Sequence, residues 1–196
     1  MRPVLILALV AVAWGGWHWH ATRPLVWPAG RIVDGEPLQT ATNLAPFEHR
    51  GFRLVPLAGF GLDARALATE RYRSNAGAAL APLDVAFAWG RASDQAVIDR
   101  LDVRQGARFY TWSYAGAPPL APAELVRSSA NMHLIPADAA VERTLLAIRP
   151  GQRVRLAGLL VEAEGADGFR WRSSLTREDS GNGACELVWV ERVELP

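Results

Sequence analysis

The sequence predicts an α+β domain, a strongly bent antiparallel sheet or small barrel with short peripheral helices, set behind an N-terminal membrane anchor. Three observations carry that expectation. Several short segments alternate apolar and polar residues at the period of a half-buried strand. Helical spacing of apolar residues is confined to brief stretches that open on capping residues and close on Gly or Pro. The first 22 residues carry one charge, Arg2, ahead of an unbroken apolar run over residues 4–14.

That opening has the layout of a secretory signal, with a positive start and an apolar core. A small-x-small site exists at Ala11-Val12-Ala13, but cutting there leaves almost no polar segment before the cut. Trp19, two before Ala21, is too bulky for a processing site, so an uncleaved signal anchor is expected over residues 1–22. The stretch 3–19 gives about 17 residues, the lower limit for crossing a hydrocarbon core of about 30 Å. Contact with the membrane is expected through residues 4–19, with Trp14, Trp17 and Trp19 at the headgroups, where an indole ring keeps its N–H wet. Arg2 and the very short preceding tail argue for a start inside the cell, although Arg23 and Arg31 lie on the far side.

Residues 23–47 are rich in Pro and polar residues without sustained periodicity, and read as an extended connector. A single domain is expected over 48–196, long enough for a sizeable core. Residues 51–60 (GFRLVPLAGF) begin ordered structure as a strand interrupted by Pro56, and 63–71 fit either a short helix or another strand. Residues 84–89 (DVAFAW) read as a strand ending at Gly90. Ser93 then caps a helix through Leu101, with Val97, Ile98 and Leu101 on one face. Residues 108–114 (RFYTWSY) are the clearest strand by β-branched and aromatic content, and 122–127 form a helical turn or two opening on Pro122.

Asp138 caps a helix to about Ile148, in which Val141, Leu145 and Ile148 recur at helical spacing until Pro150-Gly151 stops it. Residues 153–162 (RVRLAGLLVE) form a strand whose apolar phase shifts around Gly158, which predicts a bulge or a sharp bend. A turn at 165–168, alternation over 169–175 and a final strand at 186–193 close the chain. The segment 153–193 resembles part of an oligonucleotide/oligosaccharide-binding (OB) barrel. The strings LAPLDVAFAWGRASD, SSANMHLIPA and WRSSLTREDSGNGACELVWVE resemble a family of uncharacterised, membrane-anchored bacterial proteins. That resemblance implies a location in the bacterial inner membrane as a single-pass protein with its C-terminal domain in the periplasm, and assigns no activity.

Composition excludes several chemistries. The chain has no lysine, and its 21 basic residues are all Arg, so a Schiff base, a Ser-Lys dyad and a Walker lysine are ruled out. Cys185 is the single cysteine, so an intrachain disulfide or a multi-thiolate zinc site cannot form. Of four histidines, only His49 and His133 fall in the domain, too few for a three-histidine zinc site, and neither metal nor cofactor is expected. Beyond the anchor, Arg balances Asp plus Glu, which argues against nucleic acid, whose affinity comes largely from cationic groups displacing counterions.

Two constellations can carry chemistry. One is the run Ser128-Ser129-Ala130-Asn131-Met132-His133. The other is residues 172–186, which gather hydroxyls, arginines, carboxylates and a thiol around a Gly-Asn-Gly loop. The candidate catalytic residues are His133 with Cys185, Ser173 or Ser174, since histidine can deprotonate a thiol or hydroxyl; Glu186 or Asp179 would orient the imidazole. The candidate binding residues are Asn131, His133, Arg172, Arg177 and Glu186. Trp89, Tyr110, Trp112, Tyr114, Trp171 and Trp189 either form a recognition surface or fill the core. The expected function is a membrane-tethered periplasmic binding or assembly module holding an envelope partner, without catalysis; the alternative is an envelope hydrolase.

Overall fold

The structure is a computed structural model that describes residues 14–16, 23–74, 76–177, 181 and 183–196. The expected anchor lies outside the described residues apart from 14–16, as do Glu178 and Asp179. Among the described residues no helix is long and apolar enough to cross a membrane.

The fold is mixed α+β, mostly sheet. Its strands are β1 (Leu38–Thr40), β2 (Phe47–His49), β3 (Phe52–Arg71), β4 (Leu83–Ala88), β5 (Asp102–Gly106), β6 (Phe109–Ser113), β7 (Ser129–Pro136), β8 (Arg153–Glu164), β9 (Arg170–Arg172) and β10 (Glu186–Glu194). Short helices α1 (Ala76–Leu80), α2 (Gln95–Ile98), α3 (Pro122–Arg127) and α4 (Ala139–Leu146) lie between them. The main sheet runs β1-β3-β4-β7-β10-β8-β9, and β5-β6 form a separate hairpin. Connector residues thus enter the fold, because β1 pairs with β3.

The helix-or-strand alternative at 63–71 resolves as strand. It continues the segment before Pro56 into one strand of 20 residues. Proline has no N–H to give the ladder, and the register against β8 shifts between Pro56 and Ala58 to absorb it. A second shift, against β4, falls between Ala66 and Ala68. Bulges bend a strand and increase its twist, so β3 pairs with β8 along 53–65 and with β4 along 65–71. The result is a strongly curved sheet, and the closed small barrel is not formed: β3 meets its two neighbours along successive stretches, not side by side. The sheet is also not wholly antiparallel. The chain leaves β7 through α4 and returns along β8, which leaves β10 to enter between them, parallel to β7.

The concave side holds the main core, with Phe60, Leu62, Phe87, Met132, Leu160 and Val188 closed over by Val141, Leu145 and Ile148 of the α4 region. Burial of such side chains contributes about 1.5–3 kcal/mol each. A second cluster on the convex side contains Leu54, Ile135, Leu159, Val161 and Leu187, covered by Phe47, Phe52, Trp171 and Trp189.

Asp138 caps α4 as expected, its Oδ1 accepting from the amides of Ala140 at 2.7 Å and Val141 at 2.8 Å. One local expectation is corrected. Asp94, not Ser93, caps α2, which stops at Ile98; Ser93 Oγ instead accepts from Val33 N at 2.8 Å. The irregularity expected around Gly158 falls there on the partner strand, where the register shifts between Val190, opposite Gly158, and Arg192, opposite Ala157. A glycine is required there because an added Cβ would stand 1.9 Å from Trp189 O.

Candidate functional site

Asp84 of β4 and His133 of β7 are direct cross-strand partners on the convex face. Alternation puts their neighbours Val85 and Leu134 in the main core. Asp84 is fully buried and His133 is 3% exposed. His133 Nδ1 stands 2.9 Å from Asp84 Oδ1, within ion-pair distance but out of line for a hydrogen bond; Nδ1 and Asp84 Oδ2 have no hydrogen-bond partner. A buried carboxylate needs compensation, and Arg108 supplies it. Its Nη1 donates to Asp84 Oδ1 at 2.6 Å and to Ala81 O at 3.0 Å, while Nη2 has no acceptor.

Backbone strain helps to place that arginine. Ala107 and Arg108 form the two-residue turn of the β5-β6 hairpin with φ of 49° and 69°. Such turns favour Asn and Gly, since the left-handed region is costly for other residues. Arg108 N donates to Tyr72 Oη at 2.9 Å, and its guanidinium lies 3.6 Å over the Tyr72 ring and 5.1 Å from that of Trp171. Burial raises the Tyr72 phenol above its ordinary pKa. Trp171 covers the imidazole, with ring centroids 4.6 Å apart.

Arg108, His133 and Trp171 line a cavity of about 580 Å³ together with Phe109, Phe169, Arg170, Arg172 and Cys185. A second cavity, of about 380 Å³, lies on the other side of Phe109 and Cys185, between the hairpin, the start of β7 and the segment preceding β10. Asn131, Arg177 and Glu186 line it with Tyr110 and Trp112. Tyr110 Oη donates to Ser129 Oγ at 2.8 Å, and burial pushes its phenol up to about 12.

The two hydroxyls expected beside His133 have backbone partners. Ser173 Oγ is committed to backbone, donating to Ser174 O at 2.8 Å and accepting from Leu187 N at 3.1 Å. Ser174 Oγ caps the following turn, accepting from Thr176 N at 3.1 Å. Cys185 lines the same cavity as His133, but the two lean to different neighbours. In the parallel β7/β10 register His133 pairs with Leu187, two residues beyond Cys185, which is roughly 6.6 Å along a strand. The imidazole turns toward β4 on the opposite side of β7. The thiol instead meets Asn131 Nδ2 at 3.8 Å and Arg108 O at 3.9 Å.

The binding candidates divide between the two cavities. Asn131 ties β7 to the hairpin, accepting from Gln105 Nε2 at 2.6 Å and donating to Arg108 O at 3.1 Å. Arg177 pairs with the buried Glu186 and donates to Gln39 Oε1 at 3.1 Å. Arg172 and Arg170 share Glu162, and hydrogen bonding by Arg170, foremost, holds that carboxyl below the usual range. Among the recognition-or-core aromatics, Trp89 is core, Trp171 and Trp189 pack on the convex cluster, and Trp112 stacks on Tyr114 at 6.2 Å.

Sequence reasoning missed Asp84, Tyr72 and Arg108 as site residues, and missed that 129–136 is a central strand. The signal was present: Ser129, Asn131 and His133 alternate with Ala130, Met132 and Leu134 at strand period. Asp84 alternates likewise with Val85 and Phe87. Among the described residues no group of three or more His, Cys, Asp or Glu converges as a metal site. No family model, curated protein or solved structure matches this chain.

Proposed function

We propose that this chain is a membrane-tethered, periplasm-facing binding or assembly module of the bacterial envelope, held to the inner membrane through residues 4–19. It takes its partner in the cleft beneath Trp171 and performs no catalysis. The observation that carries this reading is the cleft itself, rimmed by Phe109, Phe169 and Trp171 over a polar floor whose hydrogen-bonding capacity is not all spent. A concave site that sets aromatic side chains beside arginines and an imidazole offers both apolar contact and fixed polar groups for ligand recognition. Tethering a binding surface raises its local concentration without any catalytic machinery.

The strand order supports a finer reading of the fold. Taken as β3-β4-β7-β10-β8, with β7 parallel to β10 and α4 between β7 and β8, the sheet is read as a partly open OB-type barrel extending the likeness of 153–193. The cleft then reaches His133 on the third strand, part of the face where such folds bind ligands. Fold alone assigns no ligand, and the neutral charge of the domain favours an envelope protein or glycan over nucleic acid. The hydrolase alternative requires a nucleophile beside His133, and the commitments of Ser173, Ser174 and Cys185 described above oppose it.

The test is photo-crosslinking in bacterial cells from the full chain with a crosslinker at position 109. The expected result is a discrete adduct with an envelope component, at least fivefold weaker in Trp171→Ala. An adduct unchanged by Trp171→Ala, or equally strong from the exposed Glu36, overturns the proposal.

A further inference from the structure

We propose that the second cavity, between the β5-β6 hairpin, the start of β7 and the segment preceding β10, binds a small neutral molecule with an apolar body and one hydrogen-bond donor, as an alcohol or a phenol presents. It shares Phe109 and Cys185 as a wall with the cleft beneath Trp171. Its chemistry is its own, and does not depend on what that cleft holds.

Alternation builds the apolar lining. In β6 the half-buried Tyr110 and Trp112 alternate with the exposed Phe109, Thr111 and Ser113. Val126 of α3, Ala130 of β7 and Ala184 ahead of β10 complete the walls. The volume of about 380 Å³ lies in the range of small-molecule pockets.

One carboxylate oxygen breaks that lining. Glu186 opens β10 opposite Met132, and alternation carries its side chain to the concave side with Val188 and Val190. It lines the cavity although only 1% exposed. Arg177 donates to Glu186 Oε1 through Nη1 and to Gln39 Oε1 through Nη2 at 3.1 Å, with its guanidinium 5.7 Å from the Phe60 ring. Glu186 Oε2 has no hydrogen-bond partner. The neighbouring polar groups are already paired: Tyr110 Oη donates to Ser129 Oγ, which donates to Leu125 O at 2.7 Å, and Asn131 is bonded at both ends of its amide. Among the described lining side chains, Glu186 Oε2 is thus the one buried polar atom without a partner.

That oxygen sets the chemistry of the guest. A carboxylate accepts and cannot donate, and a buried acceptor left bare carries an uncompensated desolvation cost. Water can meet the oxygen but gains nothing from the apolar walls. A guest with an apolar body and one O–H or N–H satisfies both. Arg177 cancels the charge of Glu186, so an ion finds no net attraction there and the guest is neutral.

The test uses the full chain in detergent micelles with fluorinated tryptophan, the Trp112 resonance being assigned by Trp112→Phe. Benzyl alcohol, which donates, and its isomer anisole, which does not, are titrated beside the charged benzylammonium. Benzyl alcohol should shift the Trp112 resonance with an affinity about tenfold or more above that of anisole, the effect of one hydrogen bond to a charged acceptor, and should also bind more tightly than benzylammonium. Glu186→Gln should bring benzyl alcohol and anisole within threefold of each other. Val126→Trp, which fills the cavity and leaves the Glu186–Arg177 pair in place, should abolish the shift. No shift from any probe, anisole or benzylammonium binding as tightly as benzyl alcohol, or a shift that persists in Val126→Trp overturns the proposal.

Discussion

At the scale of single residues, the Asp84–Arg108 contact is where buried charge and the cleft meet. Removing one partner of a buried pair leaves the other uncompensated, a loss of about 3 kcal/mol or more. Arg108→Ala should lower stability by about that amount in urea unfolding, and Asp84→Ala in the same background should recover part of it, because the orphaned carboxylate is gone. Full additivity of the two losses would show that the pair is not coupled. Ala107→Gly should act in the opposite direction, gaining about 1 kcal/mol by relieving a left-handed backbone at φ 49°; no gain in the unfolding midpoint would refute the strain. Little of this was legible beforehand. The residue types in 129–133 flagged a polar run, but which partner His133 meets is decided by β4 pairing, a contact between segments nearly fifty residues apart.

At the scale of elements, close approach and bulges shape the sheet. Gly158→Ala should cost at least 2 kcal/mol, since its Cβ would strike the Trp189 carbonyl on the neighbouring strand. A thermal unfolding midpoint unchanged by the substitution would contradict that packing. The sequence was informative where the determinants are local. Asp138 with its helical apolar spacing marked α4, and Pro122 marked α3, because capping and φ preference act within a few residues. It was least informative for β3, where Pro56 reads as a break and only pairing with β8 shows that a bulge accommodates it. Ser93 misled for a similar reason: Asp94, one residue on, had equal capping chemistry, and the docked connector took the serine hydroxyl.

At the scale of the whole molecule, the charged surface should make the fold acid-sensitive. Hydrogen bonding from Arg153 holds the Asp63 carboxyl below its ordinary value, and Arg170 does the same for Glu162. Groups with lowered folded pKa contribute stability that is complete above their unfolded values and lost as pH falls through the folded ones. The urea midpoint should therefore drop as pH falls from roughly 5 toward 3, less steeply in Asp63→Asn and at high salt; an equal slope in that variant would remove Asp63 from the account. The α+β class and the strand-rich C-terminal third were readable from periodicity. The curvature was readable only as a tendency, and the order of the strands, with β10 parallel to β7, was not, because insertion between β7 and β8 leaves no local mark. The central claim is that the cleft under Trp171 binds and does not catalyse. Its most direct test compares binding of purified envelope fractions by the full chain carrying Phe109→Asp with the same chain carrying Cys185→Ser. The account predicts at least a tenfold loss of binding for Phe109→Asp and binding by Cys185→Ser within twofold of the parent. Binding indifferent to Phe109→Asp, or a hydrolytic activity on those fractions that Cys185→Ser abolishes, would contradict it.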